Sequence, residues 1–315
     1  MFLIRAAYSA AKTIMTGTVV KGIGGFYFVY DGNSVVMGKA RGNLKRNKDI
    51  IFVGDIVDFD IDENDKDGEC VIHRVIERKN CLTRPPVSNL DILVVVFSLV
   101  QPTVNYPVVD KLIAGCELAG IEPMICISKA DLAEPEAVSE ALSIYSDIYP
   151  SVSVNGITGE GIEELRKMIS GKKVALAGPS GVGKSTITNL LHADEPGIAE
   201  AEEALLKAAT GRISKKTGRG RHTTRHVEIF PLSDGTMLYD TPGFTSLDMP
   251  DIEPIAVRDL FPEFRGLGGE CRYSDCMHIN EPECAVKEAL QQGIISVSRY
   301  ESYKSMTEEV KKWQK

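Results

Sequence analysis

The sequence predicts an α/β fold in three parts: a small β barrel, an α/β domain on a mainly parallel sheet, and a short helical, cysteine-bearing module. Three observations carry this reading. Short β-branched segments separated by Gly and Asp turns fill residues 16–80, continuous apolar runs alternate with helical periods from 90 to about 250, and three cysteines gather with a histidine within 271–284. A chain of 315 residues has room for two or three domains. Its 43% hydrophobic and 25% charged residues are ordinary for a globular protein. No run approaches the roughly 18 apolar residues of a membrane span, which argues against an integral membrane protein, and no membrane is expected among the partners. The net charge of −8 argues against indiscriminate nucleic-acid binding but leaves room for basic patches, found at 39–48 and 211–225. Seven cysteines, an odd number, give no extracellular disulfide framework.

Residues 15–82 are the expected barrel. "TGTVVKGIGGFYFVYDGNSVVMGKARG" alternates β-branched and aromatic residues around "YDGN", a hairpin signal, and "VGDIVDFDID" and "ECVIHRVIER" add two strands. Five short strands without an intervening helical period suggest a closed unit, of which an OB barrel is one form. The preceding "MFLIRAAYSAAKTIM" lacks a clear apolar core and cleavage site, and reads as a tail or an extension ahead of a start near Met15. "TRPPVSN" reads as a proline-stiffened linker.

The α/β domain is expected over 88–250. "DILVVVFSL" and "EPMICISKAD" read as strands buried on both faces, "SVSVN" as a shorter one, and "KKVALA" as a strand entering a Gly-rich turn. "VVDKLIAGCELAG", "PEAVSEALSIYSDI" and "TGEGIEELRKMIS" supply helices between them, while "HVEIFPL" and "TMLYDTPG" look like a strand pair. The module at 251–315 has helical pieces around the Cys/His cluster and ends in the charged, helix-prone "SRYESYKSMTEEVKKWQK". Cys70, Cys81, Cys116 and Cys126 fall in strand- or helix-like segments and read as small apolar core residues.

"GPSGVGKS" fits the Walker A pattern in its proper context, after a strand and before "STITNLLH". Gly178, Gly181 and Gly183 permit a turn whose amides converge on phosphate, Lys184 reaches the β- and γ-phosphates, and the Ser185 hydroxyl ligates Mg²⁺. "DTPG" at 240–243 ends a downstream strand, which places Asp240 to hold the Mg²⁺ shell through water and the Gly243 amide to bind a γ-phosphate. "SKAD" at 128–131 ends a buried strand on the ligand side of the sheet. There Asp131 can accept the N1–H and exocyclic NH₂ of guanine, and Lys129 can lay its stem along the base. One strand later Ser153 stands where a loop would back the base. The order is base box, backing loop, phosphate loop, then "DTPG". It is the order obtained by cutting an ordinary GTPase after its switches and joining its old ends, since termini of compact domains often lie close together.

The series "SKAD", "GPSGVGKST", "GRGRHTT", "DTPGF" and "CRYSDCMHINEPEC" closely resembles the small-ribosomal-subunit-dependent GTPase A family (RsgA), circularly permuted P-loop GTPases. The resemblance covers nearly the whole chain: an N-terminal OB-type β barrel, the permuted GTPase domain, and a C-terminal helical zinc-binding module. It departs at Ser128, where the family usually has Asn, and in the N-terminal extension. The GTP-binding set it implies is Ser128, Lys129, Ala130, Asp131 and Ser153, then Gly178, Pro179, Ser180, Gly181, Val182, Gly183, Lys184, Ser185 and Thr186, with Thr223, Thr224, Asp240 and Gly243.

Switch I belongs within "GRGRHTTRHVEIF", where Thr223 or Thr224 can reach Mg²⁺ and the γ-phosphate. Its Gly- and Lys/Arg-rich lead-in reads as a segment that a partner orders. Phe244 follows "DTPG", where a Ras-like enzyme has its water-orienting glutamine, and Phe cannot do that work. His222 is the nearest substitute, and the resemblance implies the catalytic role for it. Cys271, Cys276, His278 and Cys284 follow C-x4-C-x-H-x5-C, three thiolates and an imidazole that complete a structural zinc tetrahedron. Implied partners are GTP and GDP and, in the cytoplasm, the small ribosomal subunit and its rRNA. The rRNA is met by a monomer through Lys39, Arg41, Lys45, Arg46 and the C-terminal helix. The alternative is a regulatory GTPase that acts on protein partners without RNA.

Overall fold

The computed structural model describes residues 13–42, 50–61, 69–193, 227–241, 243–247 and 252–313. Strands β1 (Met15–Ile23), β2 (Phe26–Tyr30), β3 (Val35–Ala40), β4 (Ile56–Ile61) and β5 (Cys70–Val75) come first. Pairing runs β1-β2-β3-β5-β4 and returns from β4 to β1, so the five strands close into the OB-like barrel that the sequence predicts. Asp31 makes the "YDGN" turn, its Oδ1 accepting the Asn33 and Ser34 amides, with Gly32 at φ +104°. Barrel closure needs a bare backbone at Gly38, where a Cβ would stand 1.9 Å from the Cys70 carbonyl oxygen on β5. Val19, Val29, Val57, Phe59 and Ile72 fill the interior.

The expected linker is instead a built joint. Strands β6 (Cys81–Thr83) and β7 (Pro86–Ser88) pair as a hairpin across the two prolines. Asn80 donates to the Leu90 carbonyl and accepts from the Leu90 amide, and Asn89 donates to the Gly54 carbonyl. Asp55 accepts two bonds from the Arg78 guanidinium and one from the Ser88 hydroxyl. The polar residues around the prolines fasten this stretch to the barrel. Cys70, Cys116 and Cys126 are buried, whereas Cys81 is exposed, because β6 lies in this two-stranded hairpin, outside the main sheet.

The α/β part continues with β8 (Ile92–Phe97), α1 (Tyr106–Ala119), β9 (Glu122–Ser128), α2 (Pro135–Ser143), β10 (Ser151–Val154), α3 (Ile162–Ile169), β11 (Lys173–Ala177), α4 (Lys184–His192), β12 (Glu228–Pro231) and β13 (Met237–Asp240). Strands β10-β9-β8-β11-β13 are parallel and β12 is antiparallel to β13. All six residues of β8 are buried, which is why its sequence shows no alternation. Pro107 opens α1 and Gly120, at φ +65°, closes it. Strand β12 also pairs with β1, where the buried Lys21 ammonium meets Glu228, so barrel and α/β sheet form one continuous eleven-stranded sheet.

After 3₁₀ turns at Pro254–Leu260 and Gly268–Glu270, and α5 (Pro262–Arg265) between them, come α6 (Ala285–Gln291) and α7 (Val297–Trp313). They enclose a second core of Val257, Phe261, Phe264, Val286, Tyr303 and Val310, which Ala114 of α1 joins. Charged as α7 looks, one face is buried against α1, and Arg299 on that face is only 1% exposed. Among the described residues, no helix is long and apolar enough to cross a membrane.

Candidate nucleotide site and metal centre

The phosphate loop turns between β11 and α4 with Gly178, Gly181 and Gly183 at φ +152°, +77° and +102°, conformations that side chains rarely adopt. A Cβ at Gly178 would lie 2.0 Å from the Val96 carbonyl oxygen of β8, and the Gly178 amide donates to Phe244 O. The loop is therefore held between β8 and the segment that follows "DTPG". Gly183 is the N-cap of α4, so the helix presents its free N-terminal amides and positive dipole end at the loop. Lys184 Nζ donates to the carbonyls of Gly178 and Pro179 at 2.7 and 3.0 Å, and burial holds its pKa below the usual lysine range.

Ser128, the last residue of β9, is buried, its hydroxyl 2.5 Å from Val182 O in the phosphate loop and 3.1 Å from Phe97 O. At the position where the family usually has Asn, the serine thus supplies a tie to the loop. Lys129 takes a left-handed conformation (φ +54°) and reaches Gly181 O at 2.8 Å and Gln101 O at 2.6 Å. Ala130 and Asp131 follow in a 3₁₀ turn, Asp131 exposed. Ser153 pairs with Ile127 and Val154 with Ser128 in the β10–β9 register, so the backing strand ends beside the base box. Its loop returns over Gly161, where a Cβ would meet the Ser153 carbonyl oxygen at 1.9 Å, and passes Thr186 at Gly156.

One cleft of about 530 Å³ brings together Lys129, Ser180, Lys184, Ser185, Asp240 and Gly243, with Gly181, Gly183 and Thr186 also on its wall. Burial raises the Asp240 pKa and His192 draws it back. The Ser185 hydroxyl and Asp240 carboxylate are hard oxygen donors of the kind Mg²⁺ prefers. His222, Thr223 and Thr224 lie outside the described residues, as do Lys45 and Arg46 of the basic stretch. Of that stretch, Arg41 is exposed, while Lys39 pairs with Glu69 at 2.7 Å and lies 4.5 Å from the Phe26 ring centre. Sequence reasoning did not single out Gly115 in α1. A Cβ there would stand 2.7 Å from Leu247 Cδ1, so α1 receives the segment after "DTPG" directly. A lone glycine inside a helical pattern was the available signal.

Ser128→Ala is expected to leave the Val182 and Phe97 carbonyls without this donor and to loosen the loop. The loss of about 1–2 kcal/mol corresponds to roughly tenfold weaker binding of a fluorescent GDP analogue. Unchanged affinity would mean that the serine does not hold the loop.

The four ligand atoms of Cys271, Cys276, His278 and Cys284 all lie within 4.8 Å of one another. Tetrahedral zinc, with Zn–S about 2.3 Å and Zn–N about 2.0–2.1 Å, sets S···S edges near 3.8 Å and S···N edges near 3.5 Å. Here Cys271 and Cys284 Sγ are 3.9 Å apart, and His278 Nδ1 lies 3.6 and 3.4 Å from them. The donor set therefore fits the ion. His278 and Glu283 take left-handed backbone conformations (φ +57° and +52°), the sort of strain that clusters at ligand clamps. Burial first, then Arg258, lowers the His278 pKa and favours the neutral imidazole that a metal needs. Tyr300 and Tyr303 of α7 donate to the carbonyls of His278 and Met277, which ties the knuckle to the module core.

The RsgA GTPase family model matches residues 75–250, and the RsgA N-terminal domain model matches 16–69. "Small ribosomal subunit biogenesis GTPase RsgA" of Caldanaerobacter subterraneus is 41% identical over 95% of this chain and 97% of its own. The protein of the same name from Agathobacter rectalis is 41% identical over 96% and 100%. Among solved structures, YjeQ from Thermotoga maritima superposes with a TM-score of 0.78 at 34% identity, over 95% of this chain and 99% of its own. YloQ, described as a circularly permuted GTPase, gives 0.76 at 29% identity over 98% of both.

Proposed function

The chain belongs to the RsgA GTPase family, and from that premise we propose that it is a GTP-hydrolysing assembly factor for late maturation of the small ribosomal subunit. It binds the 30S subunit in its GTP state and leaves on subunit-stimulated hydrolysis. The observation that carries the reading is convergence: base box, backing loop, phosphate loop and "DTPG", in permuted order, meet at one edge of the sheet. On that edge Asp131 accepts from guanine N1–H and NH₂, Lys129 and the Ser153 loop flank the base, and the amides of 181–186 wrap the phosphates. Lys184 answers the β- and γ-phosphate charge. Ser185 and Asp240, with Thr223 or Thr224, would hold Mg²⁺, which would supply positive charge against the charge developing on the phosphates. His222 orients the attacking water, and because it lies in switch I we expect turnover to be slow until the subunit orders that segment. The protein acts as a monomer in the cytoplasm. Arg41, Lys45 and Arg46 and the exposed Lys311 and Lys312 of α7 serve the rRNA phosphates, while Lys39, already paired, contributes less.

The test is steady-state turnover of GTP and of ATP, each with and without purified small subunits. Strong stimulation by subunits with GTP alone is expected. Equal rates under all four conditions would remove both the guanine and the ribosome assignments.

The C-terminal module carries one structural zinc ion on Cys271, Cys276, His278 and Cys284. Metal analysis is expected to find one zinc per chain, and Cys284→Ser to lose it. Full zinc retention by Cys284→Ser would rule out this ligand set.

A further inference from the structure

A second cleft, of about 1180 Å³, opens between α2 and the C-terminal module and shares no residue with the nucleotide cleft. Leu99, Ile144 and Ile148 line its interior, half-buried. On its rim Ile294 is 69% and Val297 65% exposed, an unusual outlay of bulky aliphatic surface three residues apart. Its charge is one-sided. Glu140 and Asp147 line it, both exposed, and Glu263 stands at the base of the module. Among the described residues, the single cationic one in the lining, Arg299, is buried and committed to Asp110 and Glu263.

We propose that this groove docks a basic amphipathic segment of a protein partner, with apolar side chains against Ile144, Ile148, Ile294 and Val297 and lysine or arginine at Glu140 and Asp147. An acidic, apolar-floored groove repels a phosphate backbone and attracts cationic side chains that also bring apolar surface. Its place between α2 and the C-terminal helices suits an amphipathic helix laid into a groove. The inference rests on the functional reading above and adds to it: where Arg41 and the C-terminal end of α7 face rRNA, this groove faces a protein of the same assembly.

The experiment uses the full chain and purified small subunits with GTP. A photo-crosslinking benzoylphenylalanine replaces Val297, and co-sedimentation is compared between the unmodified chain and Glu140→Lys with Asp147→Lys. The expected result is a cross-link from position 297 to a Lys/Arg-rich segment of a subunit protein, identified by mass spectrometry. The doubly substituted chain is expected to lose that cross-link and to bind roughly tenfold more weakly, with basal GTP hydrolysis unchanged. A cross-link to rRNA alone, no cross-link, or full-strength binding by the doubly substituted chain overturns the groove assignment while the unmodified chain still sediments. Failure of the unmodified chain to sediment overturns the functional reading, and this inference with it.

Discussion

Asp131→Asn is expected to weaken binding of GTP and GDP by roughly 10²–10³-fold and to turn the site toward xanthine nucleotides. Guanine offers two donors side by side, N1–H and the 2-amino group, and an ionised carboxylate can accept both. Each such charge-assisted bond contributes about 1.5–3 kcal/mol, and asparagine keeps only one acceptor while turning an NH₂ against the guanine amine. Xanthine has an oxygen where guanine has that amine, so the asparagine that repels GDP pairs with XDP. The fold is expected to tolerate the change. Asp131 is exposed in a short 3₁₀ turn, whereas Ser128 and Lys129, which hold the box to the phosphate loop, are untouched. Equilibrium binding of fluorescent GDP and XDP to both chains is the measurement. If Asp131→Asn bound GDP as tightly as the unsubstituted chain, the base-reading role would belong elsewhere.

The features legible in the sequence are those written in local pattern. The phosphate loop shows because three glycines must adopt left-handed φ within six residues, and the metal cluster because its four donors lie within fourteen residues of chain. Continuous apolar runs marked β8 and β9, and "YDGN" marked its turn. What could not be read was pairing between distant segments. Nothing local in "TRPPVSN" says that Ser88 will meet Asp55, or that the Tyr239 hydroxyl will donate to the Ser88 carbonyl. Lys21 and Glu228 each look like surface charges until β1 and β12 join the barrel to the α/β sheet. In the serine of "SKAD" the departure in residue type was visible and its distance to the phosphate loop was not. At 2.5 Å from Val182 O it is a close one. Arg299 was hidden for a related reason: a charged helix reads as solvated, and only Glu263, 36 residues away, and Asp110, 189 residues away, make a buried arginine tenable.

Those partners set the second large effect. Arg299→Ala is expected to cost about 3–5 kcal/mol of stability, because it leaves buried carboxylates without their cation. The guanidinium donates to Asp110 Oδ1 at 2.8 Å and to both oxygens of Glu263 at 2.8 and 3.1 Å, with its centre 4.5 Å from the Phe261 ring centre. Burial works against the Arg299 charge, but Asp110 and Glu263 outweigh it and hold its pKa above the usual value. For Asp110 burial dominates and raises the pKa, Arg299 being the strongest force drawing it back. Removing the arginine therefore pushes the Asp110 pKa further up. A carboxyl whose folded pKa exceeds its unfolded one contributes stability that is present at low pH and lost as pH rises through the folded value. The deficit of Arg299→Ala should accordingly be greatest at neutral pH and shrink as the solution is acidified toward the usual carboxylate range. Urea titrations of both chains at neutral and mildly acidic pH read that difference, and a deficit independent of pH would mean that lost packing, not stranded charge, is responsible. Arg299→Met combined with Asp110→Asn and Glu263→Gln removes all three charges together and should recover most of the stability, since replacing a buried ion pair or triad by neutral groups of similar volume is often close to neutral. The site matters beyond stability because α1 carries Asp110 toward the zinc-bearing module and Gly115 toward Leu247 of the "DTPG" segment. That helix is therefore packed against both the "DTPG" segment and the last module.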